Sequence, residues 1–467
     1  MALLSVKEIV EVTGGALLQG SPDERFEGYS IDSRTVQPGE CFIALRGPSF
    51  NGADFVPDAV GKGAGGVLTM SQPAQLPEDQ VPVILVEDTL AALHGLAGYV
   101  RRRKNLRVIG ITGSTGKTTT KELTAALLAS RYSTASSAGN LNNLFGLPLS
   151  FLRMAEDADV MVCELGMSTR GEIKTLTAIA APDVGVVTNI YPVHLEFFSS
   201  LREIALAKKE ILDGMAPEST AVINRDNELV CEIASDFPGR KITFSLEKKA
   251  DYRAEKIRSL GLRGSAFILE GKGRKETFSM PLSGKHQIAN ALAALAVASE
   301  LGCPWEKMKS ILAGVSPPEN RGGVIRAEKG FYVMDDSYNS NPVALAEAAR
   351  TLAAFECRGK RILAAGDMLE LGSEAPGIHR EAGKEIAGMT IDLVICVGEL
   401  AASIGEGAEE GGMPGNNIYR VQSAPEAVPL LKDILEKDDI LLVKGSRAVG
   451  MDRIIAGLLP EACLTSP

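Results

Sequence analysis

Short, almost wholly apolar runs recur along this chain, and most are followed by stretches in which apolar residues return at helical spacing. In the middle of the chain RVIGIT (107–112), DVMVCEL (159–165), VGVVTNI (184–190) and AVIN (221–224) are separated by segments of helix length. Strands buried on both faces read as continuous apolar runs, so this rhythm predicts a parallel sheet with crossover helices. An alanine-rich helix is expected from near Gln287, and SPPENRGG (316–323) then breaks the pattern, because proline cannot continue a helix and glycine loosens the chain. Beyond it FYVMDD, RILAAG, DLVICVG, NIYRV and DILLVKG, each followed by a helical pattern, predict a doubly wound, Rossmann-like domain.

Before residue 100, runs such as CFIAL and VPVILV alternate with Gly/Pro turns, which suits a small α/β module. A helical pattern over Asp88–Tyr99 and the run RRRKN lead into RVIGIT, where a border falls. The expectation is an α/β chain of three units: 1–104, 105–317 and 318–467, the first a small substrate module, the second a phosphate-binding parallel sheet and the third Rossmann-like. The two larger units share a rhythm without sharing text.

Composition narrows the picture. A chain of 467 residues exceeds one ordinary core, and 45% hydrophobic with 23% charged residues is that of a globular protein. The net charge of -10 disfavours nucleic acid as a partner, since backbone phosphates demand a basic face. The one basic run, Arg101 to Lys104, is read as decorating a helix end or linker. No apolar stretch reaches bilayer length, and Lys7 and Glu8 stand where a signal peptide needs its apolar centre, so a cytoplasmic protein without membrane insertion is expected. The cysteines at 41, 163, 231, 303, 357, 396 and 463 form no CxxC pair and read as small core residues rather than disulfides or zinc ligands.

The strongest chemical signal is RVIGITGSTGKTTTKELTAALL, a strand that enters a glycine-rich loop from which Lys117 and Thr118 open a helix. Glycines let backbone N–H groups approach phosphate oxygens, the helix N-terminus adds partial positive charge, Lys117 can neutralise β/γ phosphates and Thr118 can hold Mg²⁺. Ile111 occupies the position of the first glycine of the common GxxxxGK[ST] spacing, and Gly113 serves instead. ATP fits this loop better than a dinucleotide.

Glu164 ends DVMVCEL at the carboxyl edge of the expected sheet, within reach of a metal. His194 follows VGVVTNI, and Lys208 lies in the helical text REIALAKKEIL beside Lys209. Taken alone, Glu164 is equally a solvated strand-end carboxylate, a lone histidine is more often structural than a ligand, and paired lysines on a helix ordinarily face water.

With these residues in view, the chain resembles the Mur ligase family over essentially its whole length. TGSTGKTTTKE resembles that family's phosphate loop, ELGMSTRGEI its magnesium glutamate, and NIYPVHLEFFSSLREIALAKKEI its histidine and modified-lysine segment; HQIANALAA, PENRGG, DDSYNSNP, GDMLELG and KGSRAVGMD follow in the family's order. The resemblance implies an ATP site of Gly113, Ser114, Thr115, Gly116, Lys117, Thr118, Thr119, His286, Asn290, Arg321 and Asp336. It implies two Mg²⁺ ions held by Thr118, Glu164, His194 and Lys208, the last carbamylated by CO₂ so that a cation becomes an anionic ligand. Lys117, His194 and Lys208 are the implied catalytic residues, with Lys209 the local competitor of Lys208.

DDSYNSNP resembles the family branch that adds D-alanyl-D-alanine to UDP-N-acetylmuramoyl-tripeptide, and the DNPR segment of the diaminopimelate-adding branch is absent. The text SIDSRTVQPGECFIALRGPSFNGADFV implies UDP-sugar recognition through Ser33, Arg34, Asn51 and Gly52. Asn142 and Asn143 are placed near the muramyl peptide, and Asn339, Asn341, Lys444, Ser446 and Arg447 in the C-terminal substrate pocket. A monomer is expected. The rivals are a sister amide ligase such as a folylpolyglutamate synthetase, a P-loop ATPase driving a partner, and a nucleotide-binding regulator without catalysis; acceptor-independent turnover would favour the ATPase.

Overall fold

The computed structural model describes residues 3–47, 49–72, 81–193 and 195–459. Three sheets succeed one another. The first holds β1 (Ala16–Gln19), β2 (Gly28–Ser30), β3 (Glu40–Ile43), β4 (Gly66–Thr69) and β5 (Val83–Leu85), in the order β1-β5-β4-β3-β2, parallel except for β1 against β5.

The second sheet contains β6 (Arg107–Thr112), β7 (Thr134–Ser136), β8 (Val160–Glu164), β9 (Val184–Val187), β10 (Thr220–Asn224), β11 (Arg240–Ser245), β12 (Tyr252–Ser259), β13 (Ser265–Gly271) and β14 (Arg274–Met280). Its order is β14-β13-β12-β11-β10-β9-β6-β8-β7. It is parallel from β7 to β12, and β13 and β14 extend it as an antiparallel ribbon. The four apolar runs read from the sequence, β6, β8, β9 and β10, lie in the parallel part, as expected, and the antiparallel ribbon adds to it. Ser265–Gly271 alternates strictly between buried and half-exposed positions, so this ribbon buries one face only, unlike the strands β6, β8 and β9 at the centre of the sheet, which are buried nearly throughout.

The third sheet holds β15 (Gly323–Arg326), β16 (Tyr332–Asp335), β17 (Arg361–Gly366), β18 (Leu393–Val397), β19 (Ile418–Val421) and β20 (Ile440–Lys444), ordered β15-β16-β20-β17-β18-β19. Only β15 is antiparallel, to β16. Helices cover both faces, with separate apolar clusters on either side.

The first and second sheets are not independent bodies. Leu93, Leu96 and Val100 on the helix Thr89–Arg103 share one buried cluster with Leu147, Phe151, Ile173 and Leu176 of the central unit. Asp88 caps that helix, accepting from the N–H groups of Leu90 and Ala91, and the basic run forms its last turn, where cations suit the helix dipole. Arg101 does more than decorate the helix end. Its guanidinium donates to the carbonyls of Ala180, Leu106 and Ala181 and pairs with Asp183 at 2.9 Å, which ties the first unit to the second.

Candidate functional site

Strand β6 delivers the loop 113–116 to the carboxyl edge of the central sheet, and the helix Lys117–Leu128 leaves it. Two glycines are required by space as well as by backbone angle. Gly113 has φ +151°, and a Cβ there would lie 1.9 Å from Thr188 Oγ1; Gly116 has φ +80°, and a Cβ would lie 2.1 Å from Asn290 Oδ1. The loop is held from behind by residues that follow β9. Ser114 N–H donates to the Asn189 carbonyl at 2.9 Å, Thr115 N–H donates to Asn189 Oδ1 at 2.8 Å, and Thr188 Oγ1 donates to the Thr115 carbonyl at 2.7 Å.

Lys117 Nζ donates to the Gly113 carbonyl at 3.0 Å and has no carboxylate partner among the described residues. Burial lowers its pKa, Glu164 opposes that lowering, and the Arg321 guanidinium adds to it. This is a cation held ready for an anion that the protein itself does not supply.

Glu164, only 3% exposed, ends β8 beside the loop. Thr118 Oγ1 donates to its Oε2 at 2.7 Å and Asn142 Nδ2 to its Oε1 at 2.8 Å. A hydroxyl and a carboxylate side by side are hard oxygen donors of the kind Mg²⁺ prefers. Lys208 is 2% exposed and has no hydrogen-bond partner among the described residues. Burial pushes its pKa well down, the Lys117 ammonium pushes it further, and Glu164 resists. Lys209 instead turns outward to Asp236 at 2.7 Å and Asp213 at 3.2 Å. Of the two neighbouring lysines, only Lys208 points inward. His194 lies outside the described residues.

The third sheet closes the other side. Asp336 and Lys444, from the ends of β16 and β20, pair at 2.6 Å, and Lys444 also donates to the Asn339 carbonyl at 2.9 Å. Ser446 Oγ accepts from Leu369 N–H at 2.9 Å. Asn341 caps the helix Pro342–Ala353 by accepting from Ala344 N–H. Arg321 lies 4.0 Å from the centre of the Tyr338 ring and Arg447 lies 5.3 Å from it. His286 has a buried Nδ1 with no partner among the described residues, and burial lowers its pKa against the pull of Asp336 and Glu347. Asn290 Nδ2 donates to Gln287 Oε1 at 3.2 Å.

A cleft of about 890 Å³ is lined by Ser114 to Thr119, Asn142, Asn143, Glu164, His286, Asn290, Arg321, Asp336, Asn339, Asn341, Lys444, Ser446 and Arg447. Its walls come from the second and third sheets. Ser33, Arg34, Asn51 and Gly52 do not line it. Arg34 pairs with Asp32, whose carboxyl that contact holds down at about 2; Asn51 caps a short helical turn; and a Cβ at Gly52 would lie 2.4 Å from the Leu45 carbonyl.

The sequence reading missed Thr188, Asn189, Tyr338 and Lys121. Lys121 is fully buried and donates to the carbonyls of Ser137 and Gly139 at 2.5 and 3.1 Å, anchoring the strap that carries Asn142. Its place in TTTKE, four residues after Lys117, was the only signal available.

A phosphate loop at a sheet edge, a carboxylate beside it and a second α/β lobe facing both define a nucleotide-using enzyme assembled from separate domains. The chain belongs to the Mur ligase family: residues 25–101 match its catalytic domain, 111–298 the Mur ligase middle domain and 320–447 the Mur ligase glutamate ligase domain. The chain is 34% identical to the UDP-N-acetylmuramoyl-tripeptide–D-alanyl-D-alanine ligase of Bacillus subtilis, over 97% of this chain and 98% of that one. The crystal structure of MurF from Acinetobacter baumannii superposes with a TM-score of 0.88 at 28% identity, covering 98% and 99% of the two chains. MurF ligase from Thermotoga maritima in complex with ADP gives 0.81 at 27% identity, covering 92% and 96%.

Proposed function

We propose that this chain is an ATP-dependent ligase that adds D-alanyl-D-alanine to UDP-N-acetylmuramoyl-tripeptide, giving UDP-N-acetylmuramoyl-pentapeptide, ADP and phosphate for peptidoglycan synthesis. The observation that carries this reading is the convergence of Lys117, Glu164 and the DDSYNSNP loop on one cleft, in a chain whose full-length relatives bear that ligase name. We take 1–104, 105–317 and 318–467 as its working units, and a cytoplasmic monomer as its form; among the described residues no helix is long and apolar enough to cross a membrane.

The terminal carboxylate oxygen of the tripeptide attacks the γ-phosphorus of ATP, the bond to the β-phosphate oxygen breaks and ADP leaves. The dipeptide amine then attacks the carbonyl carbon of the acyl phosphate, loses its proton, and phosphate departs. Electrostatics is the main obstacle, because several anions must gather in one place. Lys117 meets the phosphates from the loop side and Arg321 from the facing lobe. Asn290 would hydrogen-bond adenine, Asp336 would accept from ribose hydroxyls, and His286 would line the nucleotide. Ser33, Arg34, Asn51 and Gly52 would take the UDP-sugar, with Asn142 and Asn143 toward the peptide.

Thr118, Glu164, His194 and carbamylated Lys208 would hold two Mg²⁺ ions, which would supply charge neutralisation for the transferring phosphoryl group. Lys208 suits the modification: burial favours its neutral amine, whose nitrogen can attack CO₂ and release one proton to leave an anionic carbamate. The reading is tested by following phosphate release and product mass with UDP-N-acetylmuramoyl-tripeptide, with and without D-alanyl-D-alanine. Both should require the dipeptide; turnover without it would indicate an ATPase, and product with another amine a sister ligase.

A further inference from the structure

Two guanidiniums in the cleft lack a carboxylate partner among the described residues, and both lie against one aromatic ring. Arg321 comes from the linker before β15, Arg447 from the loop after β20, and Tyr338 from the loop after β16. The ring face attracts both cations, which leaves guanidinium N–H edges available for anions. Tyr338 is fixed at both ends. Its N–H donates to the Asn320 carbonyl at 3.2 Å, beside Arg321, and its hydroxyl accepts from Arg447 Nη1 at 3.1 Å. One side chain therefore sets the spacing between a cation on the phosphate side and another at the outer rim.

We propose that Tyr338 is a positioning residue for acceptor specificity, holding Arg447 where it receives the acceptor's terminal carboxylate while Arg321 stays with the phosphoryl group. This rests on the ligase reading above. Arg321 and Arg447 lie 4.0 and 5.3 Å from the same ring centre, so both cations are within the reach of one short acceptor, an extended dipeptide spanning at most roughly 7 Å. An acceptor anchored by its carboxylate at Arg447 can thus present its amine near the acyl phosphate. The arrangement also keeps the carboxylate away from the phosphates, whose charge it would otherwise repel.

The experiment compares D-alanyl-D-alanine with its C-terminal amide as acceptors, for the full chain and for Tyr338→Phe, Tyr338→Leu and Arg447→Gln. The unaltered protein should prefer the carboxylate by roughly 10- to 100-fold in kcat/KM, the range expected for a charge-assisted contact. Arg447→Gln and Tyr338→Phe should erase most of that preference with the KM for ATP unchanged, whereas Tyr338→Leu should also raise the KM for ATP. A general packing defect would slow both acceptors alike and leave their ratio intact, which would overturn the proposal. If the unaltered protein uses acid and amide equally, the proposal fails while the ligase reading stands; if it uses neither, the ligase reading itself fails.

Discussion

On the central wall of the cleft Glu164 is 3% exposed and held by Thr118 and Asn142, whereas on the facing wall Arg447 is exposed and rests against a tyrosine ring. The central wall is fixed by the sheet: β6, β8 and β9 place Lys117, Glu164 and Thr188 as neighbours through backbone pairing. The facing wall combines one partly buried pair, Asp336 with Lys444, and rim side chains from three loops. Buried, fully bonded groups hold their geometry before a ligand arrives, while exposed pairs contribute little and adapt. Phosphate chemistry thus belongs to the rigid wall and the choice of acceptor to the adaptable one.

The largest test of that division is Lys117→Met. It removes the phosphate-loop cation of the rigid wall and should lower kcat by at least about 100- to 1,000-fold, while UDP-substrate binding, followed by calorimetry, changes little. A modest loss would move the phosphate burden to Arg321 and reverse the comparison.

Lys208 provides the next test. Protein stripped of CO₂ should lose most of its turnover and regain it with bicarbonate, and ¹³C-labelled bicarbonate should give a carbamate NMR signal that Lys208→Met lacks. Indifference to CO₂ would leave Lys208 as a buried neutral amine and the metal role to Glu164 and Thr118. A smaller effect is expected from Asn142→Ala, which frees one oxygen of Glu164. The Mg²⁺ concentration for half-maximal activity should rise about tenfold, as for other groups that orient a ligand from behind, and a rise in the KM for tripeptide alone would place Asn142 with substrate instead.

The same division explains what could be read from the sequence. Lys117 and Thr118 were legible because a strand, a turn and a helix N-terminus follow one another in the text, so local order nearly fixes the geometry, whereas Glu164 could be put at the sheet's carboxyl edge but read equally as a solvated carboxylate until the family resemblance was drawn. Lys208 needed the family resemblance, since by pattern it matched Lys209; burial alone separates the two. Thr188 and Asn189 were hidden because nothing in VGVVTNI says that its last polar residues prop up a loop far earlier in the chain. Tyr338 was invisible for the same reason, since its two arginines come from other loops. The strands β12 and β14 escaped because their charged, half-exposed text lacks the apolar runs that marked the centre of the sheet.

The smallest effect concerns how firmly the adaptable wall is anchored. His379 is fully buried on the helix Ala375–Ala387; its Nδ1–H donates to the Ala375 carbonyl at 2.6 Å and its Nε2 accepts from Met368 N–H at 2.9 Å. Only the neutral ring can do both. Met368 leads directly into Leu369, Glu370 and Leu371, which line the cleft. Burial lowers the pKa of His379 despite the Ala375 carbonyl and Asp367, so the folded state binds its proton less readily than the unfolded chain, whose value stays near 6.5. Stability from this group is therefore complete above pH 6.5 and falls as the pH drops through and below that value, by at most about 1.4 kcal/mol per pH unit. Urea unfolding between pH 7.5 and 5.5 should show this slope, and His379→Gln should reduce it, leaving the share due to His286, which burial also lowers. The protection of the Met368 amide, corrected for the intrinsic slowing of exchange as the pH falls, should drop over the same interval while that of the amides of β6 and β8 does not, because no buried histidine is bonded to them among the described residues. Equal loss of protection on both sides would mean that the walls loosen together, and that the sheet edge carrying Glu164 is no more rigid than the loop it faces.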